Sequence, residues 1–319
     1  MTTPFSAPMN YLTGGGTQAG QVMPLLWGSI IFSMAMVLLI TVLVVIGSFR
    51  GRARGTERPP AARHEAGLSW VVGGVAFTVL GLLVFMVWTV RDMAAIAGAP
   101  NEPQLTIEVR AHQWWWEFRY LDKDPSRIFT TANELHIPVG QPVLFKLVGT
   151  DVIHSFWLPQ LGGKTDAIPG QTNIAWLEAR EAGVYRGQCA EYCGAQHAHM
   201  ALLAYAEAPA DFDAWWNAQL RPAEQPASDE ARQGASDFQT RCGACHTLRG
   251  TAAGGKLGPD LTHLMSRRTL AAGTLPNTVG YLSGWISNPQ TVKPDAQMPN
   301  LDLSGPELAA IRSYLLAQK

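Results

Sequence analysis

Gly187-Gln-Cys189-Ala-Glu191-Tyr-Cys193-Gly-Ala-Gln-His197-Ala-His-Met200 is the stretch that decides how this chain is read. Between Cys189 and Met200 it carries two thiols, an imidazole and a thioether, and a second imidazole, His154, stands upstream in Asp151-Val-Ile-His154-Ser-Phe-Trp157. Soft thiolates with imidazoles and a weak thioether form the donor set for copper that cycles between Cu(I) and Cu(II). A single blue-copper ion uses one Cys, so a second Cys four residues on points to two coppers bridged by both sulfurs, one electron being shared over two metals. Two plainer readings stay open at this level. A structural Cys2His2 zinc site would use the same donors but has no use for Met200, and a Cys189–Cys193 disulfide is the default for two isolated cysteines in an oxidising compartment.

The flanks of that stretch are rich in strand patterns. Leu105, Ile107, Val109 and Ala111 alternate with Thr106, Glu108 and Arg110, the period of a strand with one buried face. ELHIPVGQPVLFKLVG, residues 134–149, reads as a strand pair turning at Gly140 to Pro142. With no helical pattern between the strands, an antiparallel sandwich is expected in preference to a βαβ fold. DFDAWWNAQL, residues 211–220, is the one helical stretch, and Arg221 to Ala227, RPAEQPA, is a linker short enough to keep whatever follows at high effective concentration.

Further out towards the N-terminus, two apolar runs, Leu25 to Ser48 and Leu68 to Val90, are each long enough to cross a bilayer as a helix. Their connector holds Arg50, Arg52, Arg54, Arg58 and Arg63, whereas residues 1–24 have no Lys or Arg. This asymmetry puts the connector in the cytoplasm and both ends of the chain on the outer, periplasmic side of a bacterial inner membrane. The rival reading is two core helices of a soluble protein. Of the 319 residues 47% are hydrophobic and 15% charged, with a net charge of -1. There is no basic surface for nucleic acid, so that class is excluded.

Towards the C-terminus, Cys242-Gly-Ala-Cys245-His246 is C-x-x-C-H, the spacing at which two thiols add to the vinyl groups of a haem and the next residue ligates iron. A thioredoxin-like dithiol or half a zinc site are the rivals, and neither a βαβ context nor another Cys pair nearby supports them. The sixth ligand is expected to be a soft and remote Met298, in KPDAQMP. Met265 and His263 compete, but LTHLMSRR reads as a helix. Ser304-Gly-Pro-Glu307 is a capping box opening a last helix with Leu308, Ile311 and Leu315 on one face.

Residues 228–319 resemble a class I cytochrome c, with Gly258-Pro259, Trp285, Asn288-Pro289 and Met298-Pro299 following the C-x-x-C-H. Residues 105–205 resemble the copper A domain of cytochrome c oxidase subunit II. The match rests on Gln113-Trp114-Trp115-Trp116, Asp151 to Trp157, Lys164-Thr-Asp166-Ala-Ile-Pro-Gly170 and the whole cysteine segment. Together they are similar to subunit II of cytochrome c-containing haem–copper oxidases.

The resemblance implies a multidomain membrane protein. Residues 1–24 are an outer segment, 25–92 a transmembrane hairpin with a cytoplasmic loop at 50–67, 93–220 an all-β cupredoxin sandwich, 221–227 a linker and 228–319 an all-α cytochrome domain. It further implies that His154, Cys189, Cys193, His197 and Met200 bind a copper pair, with Glu191 giving its backbone carbonyl and, through its carboxylate, reaching a magnesium ion shared with subunit I. Cys242, Cys245, His246 and Met298 would hold haem c. Trp114 matches the residue through which the family admits electrons from its cytochrome c donor, and Trp115 stands where a Tyr is usual; for Trp115 and Trp116 packing is the preferred reading. The implied partners are subunits I and III, a cytochrome c and membrane lipid, and the implied activity is proton-pumping reduction of oxygen to water on subunit I. His199 matches a position that is not a ligand, His112 and His136 read as strand residues, and Glu65 stands near the place of a proton-feeding acid, at a different spacing from Trp70. A copper-delivery factor and a free-standing electron carrier are the competing functions.

Overall fold

A computed structural model of the chain describes residues 9–52 and 65–319. Most of the 50–67 connector and the first part of the 1–24 segment lie outside those residues, as does the side chain of Glu65.

The chain folds into two compact units, one of residues 20–98 and the other of residues 1–19 with 99–319. The first is a pair of helices, α1 (Thr17–Arg52) and α2 (Glu65–Ile96). Over Thr17–Arg50 and Gly67–Ile96 the hydropathy reaches 2.9 and 2.4, and neither window is buried in the chain. Leu38, Val44, Leu80 and Val84 stand exposed. Helices apolar all round and exposed all round belong in lipid, which removes the soluble-core reading. Gln21 donates to Asp92 at 3.1 Å, and the Phe32 ring meets Phe85 edge-on at 5.3 Å. Both helices outrun the apolar segments 25–48 and 68–90, because a helix satisfies its own backbone and can continue through the polar interface.

The second unit holds two five-stranded sheets. In chain order the strands are β1 (Leu105–His112), β2 (Trp115–Leu121), β3 (Phe129–Ala132), β4 (Glu134–Pro138), β5 (Val143–Gly149), β6 (His154–Trp157), β7 (Thr165–Ala167), β8 (Asn173–Leu177), β9 (Gly183–Cys189) and β10 (Ala201–Glu207). The sheets run β3-β2-β1-β5-β8 and β4-β10-β9-β6-β7. The inward residues Ile107, Val109, Phe118, Tyr120, Phe145, Leu147 and Phe156 make one dry core. At about 1.5–3 kcal/mol for each large apolar side chain, this burial is the main force holding the sheets together.

Two expectations change here. The sandwich is not wholly antiparallel, since β1 pairs in parallel with β5 and β10 with β4. Residues 134–149 do turn as expected, with Gly140 at φ 72°, but β4 and β5 do not pair with each other; they enter opposite sheets. β4 takes the edge of one sheet beside β10, and β5 lies between β1 and β8 in the other, where its alternate residues are buried.

Helix α3 (Pro209–Gln219) packs on the sandwich, with Trp216 meeting the rings of Phe129 and Phe212. The 221–227 segment is not a slack tether. Ala223 is buried, its N–H donates to Arg249, and the N–H of Glu224 donates to Gln318. Beyond it, α4 (Asp229–Arg241) is capped by Ser228, α5 (Val279–Ser287) by Thr278, and α6 (Gly305–Leu315) by the reciprocal Ser304–Glu307 box. Phe238, Leu282, Ile311, Tyr314 and Leu315 form the helical core. LTHLMSRR yields only a single 3-10 turn, Leu264–Ser266. The Asn277 amide takes the carbonyls of Leu264 and Arg267, so the turn is stopped from outside by a residue far along the chain.

Candidate metal centres

Strand register assembles the first centre. β6 pairs antiparallel with β9, setting Phe156 opposite Cys189, and β9 pairs with β10, setting Gln188 opposite Ala201. The excursion between Cys189 and Met200 is therefore closed at its base, where the N–H of Cys189 donates to Met200 at 3.0 Å. His154 starts β6, two residues before that register point, and faces the loop.

The side chains singled out in the sequence come together there. Cys189 Sγ lies 3.8 Å from Cys193 Sγ, 3.9 Å from His154 Nδ1 and 3.2 Å from the carbonyl oxygen of Glu191. Cys193 Sγ lies 3.5 Å from His197 Nδ1 and 3.9 Å from Met200 Sδ. Both thiols are free, which excludes the disulfide reading. The ligand atoms of His154, Cys189 and Cys193 all lie within 4.8 Å of one another, close enough to share a metal ion. The hydrogen bond from Cys193 holds the Cys189 thiol well below the ordinary range, and the same bond with burial pushes Cys193 up. Burial works to lower the His154 imidazole, but hydrogen bonds to Asp151 and Cys189 outweigh it and hold it above its usual value. Asp151 Oδ1 sits 2.7 Å from His154 Nε2, which aims Nδ1 at the sulfurs.

The tryptophan triplet divides. Trp114 is buried and its indole N–H donates to the Cys193 carbonyl at 2.9 Å; Gln113 donates to the same oxygen at 2.8 Å. Trp115 stacks on His112 with ring centroids 4.2 Å apart. Trp116 is wholly buried as packing would have it, yet its indole N–H also reaches the Met200 carbonyl at 3.4 Å. Trp116 lies in β2 and Trp114 in the turn before it, so no strand period in the sequence pointed to this contact. His199 bonds Gln196 at 2.7 Å and His136 bonds Glu207 at 3.1 Å; both stay outside the cluster. The Glu191 side chain is exposed.

The second centre follows α4. The amides of Cys245 and His246 both donate to the Cys242 carbonyl, at 3.0 and 2.9 Å, curling the five residues into one turn. Burial pushes the Cys242 thiol up to about 11. His246 Nδ1 lies 2.8 Å from the Pro259 carbonyl, an acceptor, so Nδ1 carries the proton and Nε2 is left as the ligating nitrogen. A Cβ at Gly258 would come within 2.6 Å of His246 Cε1, so only glycine leaves the ring its place. The buried Arg267 Nε has no partner, a donor suited to an anionic edge of a large cofactor. Met298 is half-buried in the loop before α6, its carbonyl held by Gln290 at 2.8 Å. His263 has both ring nitrogens against carbonyls, of Lys319 and Arg221, and Met265 packs on the helical core. The His263 ring is thus engaged on both sides by the backbone. The donors at the first centre fit copper in its two oxidation states and those at the second fit a covalently held haem.

Comparison with known proteins agrees with these chemistries. The family described as cytochrome C oxidase subunit II, periplasmic domain, matches residues 121–206, and the cytochrome c family matches residues 231–319. Cytochrome c oxidase subunit 2 of Alkalihalophilus pseudofirmus is 33% identical over 92% of this chain and 87% of its own length. The subunit 2 of Bacillus sp. PS3 is 29% identical over 85% of this chain and 79% of its own. Among solved structures, the periplasmic domain of subunit II of cytochrome oxidase of Bradyrhizobium japonicum is 31% identical with a TM-score of 0.35, covering 38% of this chain and 96% of that one.

Proposed function

Since the chain belongs to the cytochrome c oxidase subunit II family, in the form that carries a cytochrome c domain, we propose that it collects electrons for a haem–copper oxidase and relays them inward. Copper A and haem c, when bound, each accept and release one electron at a time. The protein performs no bond chemistry of its own; it places the two cofactors and sets their potentials.

His154, Cys189, Cys193, His197, Met200 and the Glu191 carbonyl would hold the copper pair, their soft donors suiting a metal that gains and loses one electron. Asp151 fixes the His154 tautomer. Cys242 and Cys245 would hold the haem through thioethers, and His246 with Met298 would supply its iron ligands, a pairing that favours a raised potential. Trp114, whose indole N–H donates to the Cys193 carbonyl, is the residue through which electrons are admitted. Electrons come from a cytochrome c donor, pass through the haem domain to the copper domain, and leave for subunit I, where oxygen is reduced to water and protons are pumped. The exposed Glu191 carboxylate binds magnesium at the boundary with subunit I; subunit III completes the assembly. The Arg-rich connector supports an orientation with both ends of the chain on the periplasmic side of a bacterial membrane.

One observation carries this reading: donors from residues 154 to 200 converge to within 3.2–3.9 Å of the two cysteine sulfurs in a chain that also bears a C-x-x-C-H turn. The test is Cys193→Ser in the purified oxidase. Turnover and the near-infrared copper absorption are expected to fall at least about a hundredfold, while the haem c spectrum stays. Full turnover in the variant defeats the assignment.

A further inference from the structure

The helical region does not hang from its linker; it is seated on the copper loop. Lys293 is 3% exposed, and its Nζ donates to the carbonyls of Trp114 and His199, each at 2.8 Å, and to that of Ala271 at 3.4 Å. The first two acceptors belong to the sandwich. On the next residue, the Pro294 carbonyl accepts from Gln196 Nε2 at 2.8 Å. Gln196 and His199 stand on either side of His197, so Lys293 and Pro294 grip the copper loop around that ligand.

The same dipeptide is tied to the haem side. Gln290 Nε2 donates to the carbonyls of Ala296 and Met298 at 2.7 and 2.8 Å, and its Oε1 accepts from Asp295 N–H at 2.9 Å. Residues 290–298 therefore form one hydrogen-bonded segment that contains Lys293 and ends at Met298. A second anchor lies further along the seam. Buried Glu134 accepts from the N–H groups of Arg268 and Thr269 at 2.7 and 2.9 Å, and the N–H of Ala201, next to Met200, donates to Ala272 at 3.1 Å.

An ammonium taken out of water costs several kcal/mol unless its hydrogen bonds are replaced. Among the described residues Lys293 has no carboxylate within ion-pair distance; carbonyls alone replace its water. Two of those carbonyls are present in one pose of the domains only. Interfaces that open and close freely are wet and keep their charges at the rim, which is the opposite arrangement.

We propose that Lys293 is a positioning residue that locks the cytochrome domain onto the copper loop, so that the intrachain electron step occurs in one fixed pose without a swing on the linker. This rests on the assignment of the two centres above. The step is a single-electron transfer: ferrous haem becomes ferric, the copper pair gains one electron, and no atom or proton moves. The contacts that span it run from Lys293 to Trp114 at 2.8 Å and from Trp114 to Cys193 at 2.9 Å.

The test compares the parent oxidase with Lys293→Met, which keeps the apolar stem and removes the charge. Hydrogen exchange is read over peptides spanning 193–201 and 289–298, and the transfer from reduced haem c to the copper pair is timed at several solvent viscosities. In the parent the transfer is expected to ignore viscosity. In Lys293→Met, exchange in both segments rises about tenfold or more, and the transfer slows and becomes viscosity-dependent, with both cofactor spectra and reduction of haem c by its donor unchanged. Unchanged exchange in the variant, or a viscosity-limited parent, overturns the proposal. Should Lys293→Met fail to load its metals, Gln196→Ala decides: a rise in exchange confined to the same segments supports the lock, and silence there overturns it. A parent oxidase without the copper absorption would instead sink the assignment of the centres.

Discussion

The two metal centres of this chain are built on opposite plans. The copper donors are spread from His154 to Met200 and arrive from the start of β6, the end of β9 and the loop into β10. Only the pairing of Phe156 with Cys189 and of Gln188 with Ala201 makes them neighbours. The haem attachment is five consecutive residues whose shape is closed by two hydrogen bonds to Cys242. One site is a product of long-range register, the other of a local turn, and only its proposed distal ligand, Met298, is remote in sequence. The lesson is that the same function, holding a redox metal, can be vulnerable through the sheet in one place and through a short segment in another.

The comparison can be broken or sharpened by substitution. The largest effect is expected at the one remote haem ligand. Met298→Ala should lower the haem reduction potential by on the order of 0.1–0.3 V, within the roughly 0.8 V that axial ligation spans, with the haem still covalently attached. A redox titration that finds the parent potential would remove Met298 from the iron.

Asp151→Ala comes next. Asp151 touches no donor sulfur and acts by holding His154 at 2.7 Å, so losing it should weaken copper binding about 10–100-fold. Competition with a copper chelator measures this, and haem content should not move. Full affinity in that variant would mean that the copper site does not need its distant supports, contrary to the plan described here.

The smallest effect belongs to a purely local device. Ser304→Ala opens the capping box of α6 and should cost about 1 kcal/mol of stability, seen as a lower unfolding temperature by calorimetry on the oxidase. The copper absorption should stay as in the parent. Loss of copper from so distant a change would show that the helical region supports the sandwich more than its own core does.

Local features were legible in the residue order. The capping box, the turn at Gly140 and the two apolar helices all follow from side chains within one turn of where they act. What went astray was always non-local. ELHIPVGQPVLFKLVG has the alternation of a hairpin but splits between two sheets, because pairing partners are chosen by the whole core. LTHLMSRR has helical spacing and is cut to one turn by Asn277.

By itself the sequence determined the chemistry: which atoms are soft enough for copper, which thiols are spaced for a haem, and which runs are too apolar for water. Those properties belong to residue types at short spacing, and short spacing survives in any fold. Only the tertiary structure decided how the donors meet, and that the cytochrome region sits against the copper loop with Lys293 sealed between them. Contacts between residues 114, 199 and 293 depend on the path of the whole chain, and no local pattern of side chains encodes that path.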